Sequence, residues 1–547
     1  FILDSNVIIV GAGPVGLSLA INLGRAGIKT ILLERNAEPQ FLPKMERCNA
    51  RSMEMFRRIG LSEKIRGAGL RADCPMDVFV VEDLTKPPLL EEKHPSIQTF
   101  QNKIRDCQDL SMALEPYQLI SQYTLEPLLK KEAESIESID VRFGHEFIEF
   151  EQSDDSVTVH CQNSDGNRIS FSADYLVGCD GGSSPIRKQL GIKLRGEGAI
   201  LELQQALFYC EELFDRLPNG RGPGQGRHYH RADDEHTFLI MQDSTKHWSL
   251  HASVADSDAM KRKFEEIVGF PVKYELISCA PWRQNLLLAD RYRDGRVFLA
   301  GDSVHLVIPT GGLGMNTGVG DAFDLAWKLI GTIEGWGGSQ LLDSYEIERR
   351  QVGDRNVGAS RYANIGRQKW RSIATPNIFD GSTESEETKK HLVAVADSEQ
   401  RKGNRMIGAE LGYRYVDSPC IDNIPGGPEH RVGEYQPNVW PGSRLPHCWL
   451  EDGSAIQDHI PETFVLLRLG GKELDTRTLR SSFEKIGAPV SVITIESSRI
   501  RDLYGVDFLV LRPDMHVVWR GNNVPTNADE IASISTGHGR LEEPLER

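Results

Sequence analysis

No two of the nine cysteines in this 547-residue sequence stand at CxxC spacing, so neither a zinc knuckle nor a dithiol redox centre is signalled, and no other metal-ligand set appears. Cys48, Cys74, Cys107, Cys161, Cys179, Cys210, Cys279, Cys420 and Cys448 are scattered and odd in number, a usage that suits a reducing compartment and points to the cytoplasm. No apolar run approaches the roughly 20 residues of a membrane span. The N-terminal apolar stretch lacks a basic start and a cleavage site, and reads as a strand feeding glycines instead of a signal peptide. Clustered Lys and Arg are missing too, and a formal net charge of −16 argues against a nucleic-acid partner. The short pairs Arg349-Arg350 and Lys389-Lys390 sit among acids and read as solvated helix faces. What is present is ordinary for a soluble enzyme, 39% hydrophobic and 26% charged residues. The length fits three packed units at about 100–200 residues each.

The first informative stretch is a β-branched run, Asn6 to Val10, leading straight into Gly11-Ala-Gly13-Pro14-Val15-Gly16. Helical apolar spacing follows from Val15 to Ala26, then a second strand, Lys29 to Leu33, ending in Glu34-Arg35. Gly11 permits a tight turn, Gly13 lets backbone approach a pyrophosphate, and Gly16 lets helix and strand pack closely. The helix N-terminus attracts the anion, and Glu34 can accept both hydroxyls of an adenosine ribose. The near-match Gly67-Ala-Gly69 follows a helical stretch and reads as a loop.

Two later segments specify the cofactor. In Tyr175 to Arg187 a strand breaks at Asp180-Gly181 into a helix; in Arg296 to His305 a strand ends at Gly301-Asp302. Pro309-Thr-Gly-Gly312-Leu313-Gly314-Met315-Asn316 follows, and then an amphipathic helix, Val319 to Thr332. In this order and at these separations the three fingerprints resemble those of the class A flavoprotein aromatic hydroxylases, the branch of phenol hydroxylase and the polyketide hydroxylases. The resemblance implies FAD. Asp302 would bond the ribityl hydroxyls, the turn from Gly311 to Asn316 would face the flavin's pyrimidine edge, and Asp180 and Gly181 would contact the cofactor. Gln122 would reach it from a neighbouring helix and Arg51 from an Arg-Ser-Met-Glu segment. The family's Gly-Asp-Ala-Ala-His and double proline are here Gly-Asp-Ser303-Val304-His305 and Ile308-Pro309, departures that bear on pocket shape. His305 is read as a structural residue more readily than a catalytic one.

No second strand–GxGxxG–helix unit exists for a resident nicotinamide, so NADPH or NADH would bind transiently. The implied reaction is hydroxylation of a phenolic substrate with O2 through a flavin hydroperoxide kept from water. The stretches Asp73–Leu110 and Leu194–Pro281 would build the pocket, and alternation in Arg227–Arg231 and Thr237–Gln242 predicts strands of a sheet roofing the flavin. His228, Tyr229 and His230 are the acid–base candidates, with His228 and His230 on one strand face and Tyr229 on the other; an ordinary sheet surface is the alternative for each. Trp282, with Pro309, would line the substrate, unless Trp282 is core packing.

Leu341 to Gly412 is charged and reads as a helical link, with Ser382–Lys390 an exposed loop or helix start. From Tyr435 the Pro441-Gly442-Ser-Arg-Leu-Pro446-His447 entry and the Leu-Arg-Pro513-Asp514 to Trp-Arg520 ending resemble the thioredoxin-like extra domain of the phenol hydroxylases. Cys448 is alone there, so the domain reads as a module for stability or for forming a homodimer. The expected fold is therefore α/β. A glutathione-reductase-like, Rossmann-type FAD domain would comprise residues 1–72, 111–190 and 282–345. A sheet-containing substrate domain would comprise 73–110 and 191–281, with a helical link over 346–430 and a thioredoxin-like α/β domain over 431–547. A flavin halogenase is excluded by the absence of a WxWxIP motif, whereas an oxidase or ring reductase on a similar substrate stays open, because fold does not fix reaction. A non-catalytic FAD-binding regulator would not need the long insertion over residues 190–281.

Overall fold

The computed structural model describes residues 3–218 and 220–541, so the outermost residues of the first and last expected units lie outside it. The nucleotide-binding sheet is built on Ser5–Val10, an apolar strand buried on both faces. It pairs in parallel with Thr30–Glu34 on one side and with Arg168–Gly178 on the other. Ile139–Phe143 and Val297–Leu299 extend the parallel set outward. The chain crosses from the central strand to Thr30–Glu34 through the helix Pro14–Arg25, and the carboxyl end of the central strand lies between Thr30–Glu34 and Arg168–Gly178, where sheets of this kind open a crevice.

A second sheet has seven strands, in the order Glu275–Arg283, Glu202–Tyr209, His247–Ala252, Phe238–Met241, His228–Arg231, Val78–Val81, Leu90–Glu92. Its outer face packs Phe208, Leu250, Leu239 and Tyr229 onto the helix Ser257–Val268 through Phe264 and Ile267. The C-terminal unit orders Val490–Ile495, Phe464–Leu469, Phe508–Leu511 and Val517–Gly521 with the first pair parallel and the rest antiparallel, and flanks them with helices, as a thioredoxin-like α/β layer should.

Several expected boundaries move. Leu194–Glu197 was placed with the substrate unit, yet it pairs with Leu286–Ala289, which in turn pairs with His305–Leu306 beside the Gly301-Asp302 turn. Trp282 and Arg283 end a strand of the substrate sheet instead of opening the last FAD segment. One 33-residue helix, Ser339–Arg371, runs through the boundary drawn at 345/346. Nor is that region merely a solvated link. Arg349 is 1% exposed, with Nε donating to Asp321 at 2.8 Å, so its reading as a solvated helix face is wrong. Charge alone could not show that Asp321, 28 residues away, would neutralise it. Ser382 caps the helix Thr383–Glu399 by accepting from the Ser385 amide, which settles the loop-or-helix alternative. Ser62–Ala68 is helical, so Gly67 lies in a helix and the loop begins at Gly69.

The third unit is bolted to the first. Arg58 donates to the carbonyls of Ile460, Pro461 and Pro513. Arg444 Nε donates to Glu54 at 2.6 Å, with both side chains at most 1% exposed. Among the described residues no helix is long and apolar enough to cross a membrane, all nine cysteines are free, and no cluster of metal ligands occurs.

Candidate functional site

At the crevice, sterics explain the glycines. Gly11 has φ +104°, and a Cβ there would lie 2.2 Å from the Cys179 carbonyl oxygen. A Cβ on Gly16 would lie 1.9 Å from the Gly11 carbonyl oxygen. Gly13 meets nothing closer than Glu126 at 3.9 Å, so its backbone is left open to a ligand. Pro14 opens the helix, and no side chain caps that helix's free N–H groups. Glu34 is part-exposed at the strand end, held by the amides of Ala12 (3.0 Å) and Asn36 (2.9 Å), and Arg35 beside it is exposed. Gln122 opens the helix Gln122–Glu134 and donates to Glu126 at 2.6 Å.

Asp180 follows the strand Arg168–Gly178, and Gly181 turns the chain at φ +83°. One Asp180 carboxyl oxygen accepts from the Ile186 amide at 3.2 Å; the other is buried without a partner, and burial raises its pKa. Asp302 is exposed into the groove while its neighbours Gly301 and Ser303 are buried; the enclosing protein raises its carboxyl, with His305 and Lys44 opposing. The turn beneath it is fixed by Asp321, which accepts from the Gly301 amide at 3.1 Å and from His305 Nε2 at 2.7 Å. His305 is fully buried in that contact, as a structural residue would be.

The helix after the glycine-rich turn begins at Gly314, five residues before the expected Val319, and is buried on nearly every side instead of amphipathic. Gly, Asn and Thr at 314–318 carry no helical signature of their own; tertiary packing against Val15 and Gly301 imposes the helix. Asn316 is a tie within the protein: its Oδ1 accepts from the Asn49 amide (2.8 Å) and Ser52 Oγ (2.7 Å), and its Nδ2 donates to Gly312 O (2.7 Å). Leu313 is buried, so it can offer only backbone, whereas Pro309 is exposed and Gly312, Gly314 and Met315 are part-exposed. Arg51 reaches Tyr413 Oη at 3.4 Å and Glu54 at 3.5 Å, in a closed space behind the turn with room for about one water, ≈ 20 Å³. Taken together, the open Gly13 backbone, the orphaned Asp180 oxygen and the exposed Asp302 carboxylate are polar groups left free at the strand ends, and their chemistry fits FAD.

The inner face of the seven-stranded sheet lies against this turn. His228 Nε2 contacts Glu46 Oε1 at 2.7 Å, and the next residue, Arg47, donates to the Gly311 carbonyl at 2.9 Å. Burial holds the imidazole down at about 4, while His228 and the Arg227 and Arg47 guanidiniums outweigh burial and bring the Glu46 carboxyl to about 2. A neutral His228 cannot exert a full charge on Glu46 at neutral pH; the state that satisfies both is ionised Glu46 accepting from Nε2–H, which leaves Nδ1 as the basic nitrogen. His230 shares that strand face, stacked on Phe238 at 4.0 Å and bonded to Gln400 at 3.0 Å, and burial keeps it neutral. Tyr229, a candidate from sequence, points the other way: it stacks on Phe79 at 5.5 Å and donates to Gly224 O at 2.8 Å inside the substrate-domain core. Trp282 stacks on His251 at 5.7 Å along the same inner face as His228.

Sequence reading missed Glu46, His251, Arg227 and Arg367. Alternation along His247–Ala252 puts His251 and Ser249 on one face, but the register against Phe238–Met241 that brings His251 to Phe238 is a tertiary fact. The buried histidines have a measurable consequence. His228, His251, His447 and His516 are each at most 8% exposed and depressed to about 4 by burial. The unfolded chain binds protons near the ordinary 6.5 where the folded chain does not. Stability is therefore full above pH 6.5 and falls as pH drops toward 4, by about 1 kcal/mol per pH unit for each histidine. Urea midpoints at pH 7.5 and 5.0 test this; equal midpoints would contradict it.

The chain matches the FAD binding domain family over residues 4–360 and the aromatic-ring hydroxylase C-terminal family over residues 438–537. It is 31% identical to the FAD-dependent monooxygenase apdD of Emericella nidulans, across 97% of this chain and 90% of that protein. It is 30% identical to aklavinone 12-hydroxylase DnrF of Streptomyces peucetius, across 82% of this chain and 88% of that one. Among solved structures, RebC-10x, in its native and K252c-bound forms, superposes with TM-score 0.87 at 28% identity, covering 98% of this chain and 100% of that one. Aklavinone-11 hydroxylase in complex with FAD and aklavinone superposes with TM-score 0.81 at 25% identity, covering 98% and 99%.

Proposed function

We propose, from the premise that this chain belongs to the FAD-dependent aromatic-ring hydroxylases, that its substrate is a phenol whose hydroxyl is oriented and polarised by His228 on the sheet face above the glycine-rich turn. NADPH or NADH is the proposed transient reductant, and nine unpaired cysteines fit a cytoplasmic setting. FAD is the cofactor, and the chemistry it supplies when bound is acceptance of a hydride and delivery of one oxygen atom from O2. Its proposed holders are Gly11, Gly13, Pro14, Val15, Gly16, Glu34 and Arg35 at the adenosine end. Gln122, Asp180, Gly181, Gly301 and Asp302 would hold the middle. Pro309 and the backbone of Gly312 to Asn316 would hold the ring end, with Arg51 behind them. The Gly314 helix end would stabilise negative charge there.

The protein's own steps follow from its geometry. The sheet covers the reacting face and keeps water out. Glu46 fixes the His228 tautomer, and Nδ1 accepts a hydrogen bond from the phenolic hydroxyl, which raises the ring's nucleophilicity toward an electrophilic oxygen. The observation that carries this reading is the part-buried His228–Glu46 contact, one residue from the Arg47–Gly311 tie. His228→Asn should lower kcat on the order of a hundredfold while flavin content stays intact. An unchanged kcat, measured as NAD(P)H oxidation across a panel of phenols with peroxide quantified, would remove His228 from this role. Substrate-stimulated oxidation with little peroxide supports the hydroxylase; peroxide alone with every phenol would favour an oxidase.

A further inference from the structure

Behind the Gly301-Asp302 turn, polar side chains from three parts of the fold meet at Arg349, a buried residue of the helix Ser339–Arg371. Its Nε donates to Asp321 at 2.8 Å, one terminal nitrogen donates to the Thr317 carbonyl at 3.0 Å, and the other donates to Tyr415 Oη at 3.1 Å. Each bond leads somewhere different. The second Asp321 oxygen accepts from the Gly301 amide and from His305 Nε2, so that carboxylate pins the turn. Thr317 lies in the first turn of the helix Gly314–Ile333, where a Cβ on the neighbouring Gly318 would stand 3.0 Å from the Gly301 Cα. Tyr415 is held by the C-terminal unit. Its amide donates to Gly442 O at 3.0 Å, its ring lies 4.5 Å from that of His516, and the Arg512 guanidinium sits over it at 5.2 Å.

Asp321, His305, Arg349 and Tyr415 are each at most 1% exposed, so water does not screen the junction and each bond constrains the next. Burial opposes the charge on Asp321, but His305 and Arg349 outweigh it and hold the carboxyl below its usual range. Burial raises Tyr415 well above the ordinary phenol range, so it stays neutral and its oxygen accepts from Arg349. A guanidinium is a rigid fork. Deleting one of its three acceptors lets it tilt, and the tilt passes to Asp321 and from there to the Gly301 amide. We propose that Tyr415 is a positioning residue for the cofactor: through Arg349 and Asp321, the C-terminal unit sets the Gly301-Asp302 turn and with it the affinity for FAD. That gives a part in cofactor binding to a unit whose lone Cys448 offers no dithiol chemistry. The proposal rests on the reading above that this turn holds the middle of the flavin.

The test needs no turnover. Tyr415→Phe keeps the ring against His516 and Arg512 and deletes only the acceptor. The full-length variant, stripped of flavin, is titrated with FAD while flavin fluorescence is followed. FAD should bind on the order of tenfold more weakly, the worth of one hydrogen bond to a charged group. A merely structural tyrosine would lower the melting temperature and leave that titration unmoved. Arg58→Leu is the comparison, because it removes the donor to the Ile460, Pro461 and Pro513 carbonyls and loosens the same docking away from the turn. It should lower the melting temperature while FAD affinity stays within about twofold of wild type. In an Arg349→Lys background, Tyr415→Phe should weaken FAD by no more than about a further twofold, since an ammonium cannot reproduce the three-way fork. Unchanged FAD affinity in Tyr415→Phe would overturn the proposal, as would an equal loss in Arg58→Leu or an undiminished further loss in the Arg349→Lys background. Asp302→Ala separates this from the reading it rests on. Flavin lost there but held at full affinity by Tyr415→Phe sinks the relay alone; full affinity in Asp302→Ala sinks the reading of the turn and the relay with it.

Discussion

Gly16→Ala is expected to give a folded protein that purifies nearly colourless. The added Cβ would stand 1.9 Å from the Gly11 carbonyl oxygen, a backbone atom with little freedom to yield. Gly11 is itself pinned, because its amide donates to Leu33 O at 2.8 Å and its own missing Cβ faces the Cys179 carbonyl. Either the helix Pro14–Arg25 withdraws from the sheet or the loop opens, and both destroy the arrangement of free N–H groups. Strain of this kind costs on the order of 1–3 kcal/mol, and the lost phosphate contacts add to it. FAD affinity should fall by a hundredfold or more, about 2.7 kcal/mol. Flavin per chain after desalting measures it. Gly13→Ala is the matched comparison, since the space beside Gly13 is open within the protein and closed only by the ligand. It should fold at wild-type stability yet also lose flavin. Full flavin retention in either variant would contradict this account of the loop.

Arg512→Met should destabilise the whole molecule. Arg512 is fully buried, donating to Glu348 at 2.5 Å, to Asp514 at 2.6 Å and to Asp324 at 3.3 Å. Lys328 completes the network, 2.7 Å from Asp324 and 2.6 Å from Glu348. Within this coupled group, Glu348 is held ionised because its two cations outweigh burial, whereas burial and Glu348 push Asp324 up. Removing the guanidinium leaves three carboxylates facing one ammonium in a dry interface between the FAD unit and the C-terminal unit. Breaking a buried ion network from one side costs about 3–5 kcal/mol. At about 2–4 °C per kcal/mol for units of this size, the first thermal transition should fall by at least about 6 °C. A shift under about 2 °C would mean that water reaches the network. The same contacts show what the third unit contributes: they tie the helices Gly314–Ile333 and Ser339–Arg371, which back the groove, to a separate sheet.

The nucleotide groove was legible in the sequence because its parts are local. Gly11, Gly13 and Gly16 lie within six residues, and Asp180 and Asp302 each follow closely on an apolar strand end. Arg349 shows the limit of such reading, since its burial depends on a partner far along the chain. The proposed substrate wall is worse placed for it. His228 meets Glu46 across 182 residues, and Arg367 reaches Phe238 from a helix read only as a link. Period-two alternation did separate His228 and His230 from Tyr229, yet it could not say which face met the groove. The domain boundaries failed for a related reason. Leu194–Glu197 looks like its substrate-side neighbours in composition, and only its pairing with Leu286–Ala289 assigns it.

The most direct measurement of the central claim is turnover, under 18O2 with NADPH, of a phenol that stimulates oxygen uptake, with mass analysis of the product. The account predicts one oxygen atom from O2 in each product ring, little hydrogen peroxide, and labelled product formed on the order of a hundredfold more slowly by His228→Asn despite bound FAD. A product whose new oxygen comes from water, or oxygen consumed only as peroxide, would contradict it.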